Sequence, residues 1–236
     1  MKLATGSVNL LMGVVAISGA LASAPAVADA RHPTVVELFQ SQGCSDCPPA
    51  NANVMALSDR PDLLTLSLGV TYWDHLGWKD TFASPQYTRR QWDYAHAFHR
   101  NEVFTPEVVV NGRADVVGSN RSELEALIAR EGRKTDAPDV EVKNGVVQVG
   151  AGNSDANADI WLVRYDPNTV EVPIQNGENE GRTLPHKNVV KELVKLGEWS
   201  GKVETYRVPS AGRAGLRSAV LVQDGPGGEI LTALRF

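Results

Sequence analysis

The stretch Gly43-Cys44-Ser45-Asp46-Cys47-Pro48-Pro49 holds the only two cysteines of the 236-residue chain, with two residues between them. Two thiols at this spacing can close into a disulfide and reopen by exchange, a two-electron chemistry that the side chains carry without a cofactor. The segment before them, Val35-Val36-Glu37-Leu38-Phe39-Gln40, reads as a strand, and after them Ala50, Val54 and Leu57 recur at helical spacing. The unpaired N–H groups at a helix start and the positive end of its dipole stabilise a thiolate placed there. Cys44 is then the expected nucleophile, exposed at the tip. Cys47 is the expected resolving thiol, which turns back on the mixed disulfide that Cys44 forms with a partner. Asp46 places a negative charge beside the pair and offsets the dipole. A Cys44 pKa nearer about 7 than about 3.5 follows, on the reducing or isomerising side.

Other chemistries of the same residues are open to different degrees. Structural zinc takes four ligands, and there is no second cysteine pair, nor do the five histidines fall at ligand spacing. No metal site is expected. His75 reads as a solvated loop residue, and His96 with His99 as a solvated helix end. Two alternatives remain: a metallochaperone holding Cu(I) between the thiolates, and a non-enzymatic binding module with a structural disulfide. The second is weakened because so short a loop constrains little of the unfolded chain.

With 42% hydrophobic residues the chain can build one large or two ordinary cores, and a net charge of −5 without basic runs gives no reason to expect nucleic acid as a partner. Residues 1–30 read as a signal peptide. Lys2 is followed by an apolar run from Val8 to Leu21 and by Ala28-Asp29-Ala30 as the cleavage site before Arg31. An uncleaved anchor is the alternative. No cysteine follows the cleavage site directly, and no later run approaches the roughly 20 apolar residues of a membrane span. A secreted or periplasmic location, with no membrane span in the mature chain, is expected. Disulfides persist in that compartment.

Leu63 to Val70 reads as a second strand, parallel to the first across the cysteine helix, with the cysteines at the carboxyl end of the sheet. The aromatic segment Tyr72-Trp73-Asp74-His75-Leu76-Gly77-Trp78-Lys79-Asp80 leaves the same edge and borders them. Ser84 caps and Pro85 opens a helix to about His99, its buried stripe Tyr87, Gln91, Tyr94 and Phe98. Val103 to Gly112 is a strand interrupted by Thr105-Pro106, and Asn111-Gly112 turns it toward Ala114 to Val117. Asn120 with Glu123 is a capping box for a helix with Leu124, Leu127 and Ile128 inward, ending near Gly132.

This order of elements resembles that of the thioredoxin superfamily, and Thr105-Pro106-Glu107-Val108 is similar to its cis-proline strand. The resemblance implies that Pro106 faces Cys44 and Cys47, that the Thr105–Pro106 bond is cis, and that Thr105 and Pro106 present backbone to substrate. Glu37-Leu38-Phe39, Gln42-Gly43-Cys44, Cys47-Pro48-Pro49, Tyr72-Trp73-Asp74, Gly77-Trp78-Lys79-Asp80 and Thr105-Pro106 also resemble a secreted bacterial family, domain of unknown function family 1223, over nearly the whole mature chain. That name implies no activity. Gly43 stands where thioredoxins carry an aromatic residue, and Ser45-Asp46 differs from the dipeptides common between their cysteines.

From Thr135-Asp136-Ala137-Pro138 onward the pattern turns to short strands: Val140 to Val142, Val146 to Val149, Ile160 to Tyr165, Val170 to Gln175, Val189 to Leu196, Val203 to Val208, Ser218 to Gln223 and Ile230 to Leu234. Asn176 to His186 reads as a solvated loop, with ligand binding the alternative. The expected architecture is an α/β thioredoxin-like domain over 31–134 followed by an all-β sandwich-like domain over 138–236. The expected function is thiol–disulfide exchange on protein thiols or disulfides by Cys44 and Cys47, with an unidentified redox partner and no cofactor.

Overall fold

The computed structural model describes residues 1, 29–132, 137–152 and 157–236. The expected leader thus lies almost wholly outside the described residues. Strand β1 (Thr34–Gln40) is buried at every position, as a continuous apolar run covered on both faces requires. Helix α1 (Cys47–Leu57) crosses over from it to the parallel strand β2 (Leu63–Gly69). Helix α2 (Pro85–Ala97) starts at Ser84, whose side chain accepts from Gln86 N at 3.2 Å, and Pro85 sits in its first turn. Strand β3 (Glu107–Val110) runs antiparallel to β1 and turns into β4 (Ala114–Val116) through Asn111 and Gly112, whose φ of 49° and 64° is the left-handed pair a tight hairpin demands. Helix α3 (Arg121–Arg130) is capped by Asn120, which accepts from Ser122 N and Glu123 N at 3.1 and 3.3 Å.

The second half corrects the expected architecture. Its main strands are β7 (Ala158–Asp166), β10 (Val189–Trp199), β12 (Arg217–Gln223) and β13 (Ile230–Arg235), and they extend the same sheet. The order is β13-β12-β7-β10-β2-β1-β3-β4, one eight-stranded mixed sheet in place of a thioredoxin-like α/β domain followed by a β-sandwich. The junction is short: Val189 bridges Ser67, and Ser67 N donates to Asn188 O at 3.0 Å. The physical reason lies in runs such as Ala219-Val220-Leu221-Val222, buried without alternation. Ala219 and Leu221 join the core beneath α2, while Val220 and Val222 join a core on the opposite face. Strands apolar on both sides belong inside a covered sheet, whereas a sandwich strand has one polar face.

One face of the sheet packs under α2 through Phe39, Leu66, Tyr87, Tyr94, Val163 and Leu221. The other is shared. Helices α1 and α3 cover β1 to β3 with Ala50, Val54, Leu57, Leu124 and Leu127. A separate three-stranded sheet of β5 (Val140–Lys143), β6 (Val146–Val149) and β11 (Glu204–Arg207) covers the far end around Trp199 and Ile160. A last hairpin, β8 (Val170–Pro173) with β9 (Thr183–His186), packs Val172, Ile174 and Leu184 on Trp78 and Phe82. That contact carries the hairpin's tip to the cysteines.

Candidate functional site

Where β1 ends, Ser41 to Cys44 turn sharply into α1. Gly43 N donates to Ser41 Oγ at 3.1 Å, Cys44 N to Ser41 O at 3.2 Å, and Cys47 N to Cys44 O at 3.3 Å. The aromatic segment after β2 clamps this turn. Asp80 accepts from Gln42 N at 2.8 Å, Trp78 Nε1 donates to Gln42 Oε1 at 2.9 Å, and Gln42 Nε2 donates to Thr81 Oγ1 at 3.0 Å. Burial pushes the Asp80 carboxyl up to about 6, against the pull of the backbone N–H groups of Gln42 and Phe82. His75 in the same segment is exposed, its Nδ1 2.7 Å from Tyr72 O.

Cys44 and Cys47 are joined as a disulfide, with Cα atoms 5.5 Å apart. Helix α1 begins at Cys47, and the two prolines fall in its first turn, where no N–H is needed. The Thr105–Pro106 peptide bond is cis, and Thr105 O lies 3.8 Å from Cys44 Sγ. Trp73 Nε1 donates to Thr105 Oγ1 at 2.7 Å, so the aromatic segment fixes this residue as well. Cys44, Cys47 and Thr105 are therefore brought together, and Pro106, next to Thr105 in the chain, is buried.

Two expectations fail here. Cys44 is not exposed at the tip: it and Cys47 are each 1% exposed. The cover is the tip of the β8–β9 hairpin, part of the segment expected as a solvated loop. Asn179 is fully buried, and its Nδ2 donates to both Gln42 O and Cys44 O, at 2.9 and 2.8 Å. Beside it, Glu178 Oε2 accepts from Ser45 N at 3.1 Å and Ser45 Oγ at 2.7 Å. These bonds hold the Glu178 carboxyl below the usual range, the Ser45 hydroxyl contributing more than the backbone N–H. Gly177, at φ 81°, lets the chain bend in against Trp78 and Gly43.

The acidic group engaged with the motif is thus Glu178. Asp46 is exposed, and its side chain makes no cap hydrogen bond. Hydropathy hides Asn179, because a polar residue buried against backbone carbonyls has the same composition as a solvated one, and Glu178 is an exposed acid that nothing local singles out. The usable signal was Ile174 and Leu184 bracketing the polar run, with glycines at 177 and 181 to shape it.

On the other side of Cys47 lies a cavity of about 270 Å³ between α1 and β9. Its wall includes a buried polar cluster. Gln40 Nε2 donates to Asn51 Oδ1 at 3.1 Å and Ser67 Oγ at 2.7 Å and lies 3.4 Å from His186 Nδ1, and Asn51 Nδ2 donates to Pro185 O at 2.6 Å. His186 is 3% exposed, and its Nε2 has no hydrogen-bond partner. Burial, helped by the Lys191 charge, pulls its pKa down to about 4, so the ring is neutral at pH 7. Among the described residues no cluster of histidine, cysteine and carboxylate side chains could hold a metal ion, and no helix is long and apolar enough to cross a membrane.

The sequence profile of a family described as "Protein of unknown function (DUF1223)" matches residues 35–223. A crystal structure of a structural-genomics protein from Agrobacterium tumefaciens is similar at 30% identity and TM-score 0.69, over 86% of this chain and 93% of that one. HBP35 of Porphyromonas gingivalis, at 12% identity and TM-score 0.55, matches 87% of this chain and 75% of its own, a likeness of fold alone. No curated protein matches.

Proposed function

The chain belongs to the DUF1223 family of proteins of unknown function, and from that premise we propose that Cys44 and Cys47 form a thiol–disulfide exchange centre acting on protein thiols or disulfides. One observation carries the reading. The pair is closed as a disulfide at the carboxyl end of β1 and the first turn of α1, with the Thr105 carbonyl 3.8 Å from Cys44 Sγ. In the reduced form, the Cys44 thiolate attacks one sulfur of a substrate disulfide, and the other leaves as a thiolate. The Cys47 thiolate then attacks Cys44 Sγ of the mixed disulfide, which closes the protein disulfide and releases the second substrate sulfur. Thr105 O supplies a backbone acceptor for an extended substrate chain, as in strand addition. The hairpin tip at Glu178 and Asn179 must swing away before a protein can reach Cys44.

The leader-like N-terminal sequence supports a secreted or periplasmic site of action, where a cycling pair needs a partner to recharge it. The test is trapping. Cys47→Ser is expected to accumulate mixed disulfides through Cys44 on non-reducing gels, and Cys44→Ser not to; equal trapping by both removes the assignment. A structural disulfide is the second reading, favoured by the 1% exposure of both cysteines. Resistance of the folded protein to a mild dithiol would decide for it.

A further inference from the structure

We propose that the cavity beside Cys47 binds a small, carboxylate-bearing thiol, and that this thiol reduces the disulfide by attack on Cys47. The inference rests on the exchange reading above and names the class of reductant. With Asn179 and Glu178 docked, the Cys44 side of the disulfide is closed by Thr105 O, Ser45 and the hairpin tip. The cavity has Cys47 in its wall and not Cys44; Cys47 is itself 1% exposed, so the wall must part slightly for a thiol in the cavity to reach Sγ. Its volume of about 270 Å³ lies just under the roughly 300–1,000 Å³ of drug-sized ligand sites, so it suits a small molecule and excludes a folded one.

Its chemistry selects further. Pro48, Ala52 and Leu184 give apolar walls, while Gln40, Asn51 and His186 bring polar groups that are each at least nine-tenths buried. Among the described residues of the lining Arg182 alone is charged, since His186 is neutral at pH 7 and no carboxylate takes part. Among the described residues Arg182 has no acidic partner; its Nη1 donates to Asn179 Oδ1 at 2.6 Å. A guanidinium at the mouth of an otherwise uncharged cavity favours a carboxylate.

The chemistry balances with two equivalents of the thiol. A first thiolate attacks Cys47 Sγ and forms a mixed disulfide there, and the electron pair of the broken bond leaves on Cys44, which becomes a thiolate. A second attacks the small molecule's own sulfur, Cys47 departs as a thiolate, and the small disulfide diffuses away. The nucleophile Cys44 is thus regenerated under the docked hairpin tip.

The test uses the oxidised full chain with N-acetylcysteine (anionic), 2-mercaptoethanol (neutral) and cysteamine (cationic) at equal thiolate concentration, reading disulfide loss by alkylation and mass. The anionic thiol is expected to react at least tenfold faster than the cationic one. Arg182→Gln should erase that preference and Arg182→Lys keep it. In Cys44→Ser, the oxidised dimer of N-acetylcysteine should leave an adduct on Cys47, and Ala52→Trp, which fills the cavity, should slow adduct formation at least tenfold. Equal rates for the three thiols, a preference that survives Arg182→Gln, or an adduct unaffected by Ala52→Trp would each overturn the proposal. If a reduced protein dithiol opens the pair while small thiols do not, the cavity proposal fails and the exchange reading stands. If neither opens it, both fail.

Discussion

Glu178 is the acidic side chain bonded to the turn between the cysteines. The Ser45 N–H it engages belongs to the turn that leads into α1, where backbone donors can support a Cys44 thiolate. A carboxylate on that donor both occupies it and adds like charge, so the reduced form is disfavoured. Glu178→Gln is expected to raise the reduction potential, read by equilibration with glutathione buffers. Asp46→Asn, an exposed group with no cap bond, should change it less. The reverse ranking would return the controlling charge to Asp46. On the exchange reading, Asn179 is the residue that controls access. Asn179→Ala leaves the Gln42 carbonyl without a donor and Cys44 O with the Cys47 N–H alone, a loss of about 1–3 kcal/mol to docking of the hairpin tip. Reduction of the disulfide by a protein dithiol should then accelerate about tenfold, and an unchanged rate would mean that the tip does not limit access.

Two elements grip the turn at the end of β1, the aromatic segment after β2 and the β8–β9 hairpin, and each holds a titrating group with a displaced pKa. Asp80 is raised to about 6, so its contribution to stability is fully present below about 4 and is lost as pH rises through 6. His186 is lowered to about 4, so its contribution is present above about 6.5 and is lost as pH falls through 4. The two oppose one another between pH 4 and 6.5. Relative to the parent, Asp80→Asn should lose about 3 kcal/mol between pH 7 and 4, and His186→Gln should gain about as much, by urea unfolding. Parallel curves for either variant would show that its side chain titrates normally. Much at this scale was legible in the sequence, because the signals are local. Ser84-Pro85 and Asn120 cap as their types dictate, Asn111-Gly112 turns, and the cysteines close at the start of a helix. The covering hairpin was not legible. Asn179 meets Cys44 across 135 residues, and nothing local marks a polar side chain that will bury itself against a distant carbonyl.

Across the whole molecule, a buried polar group fastens the two halves. Arg90 on α2 donates to Glu37 on β1 at 2.7 and 3.0 Å and to Gln223 on β12 at 2.8 Å, and Tyr94 OH bonds the Glu37 carboxylate. Arg90→Met would strand Glu37 as an uncompensated buried charge, at an expected cost of about 3–5 kcal/mol in urea unfolding. Adding Glu37→Met should recover most of it; no recovery would locate the loss in packing around Trp161 and Tyr94 instead. The single sheet was hard to read for a related reason. The run Ala219 to Val222 carries the mark of a two-sided strand, but the join itself is one bridge between Val189 and Ser67, which no periodicity announces. The long separation between cover and cysteines also orders the protein's birth. A ribosome adding about 5–20 residues per second delivers Cys47 roughly seven to twenty-six seconds before Asn179, so the nascent chain carries two bare thiols until its second half arrives. Oxidation before that arrival meets an open pair, and oxidation after it meets a sealed one.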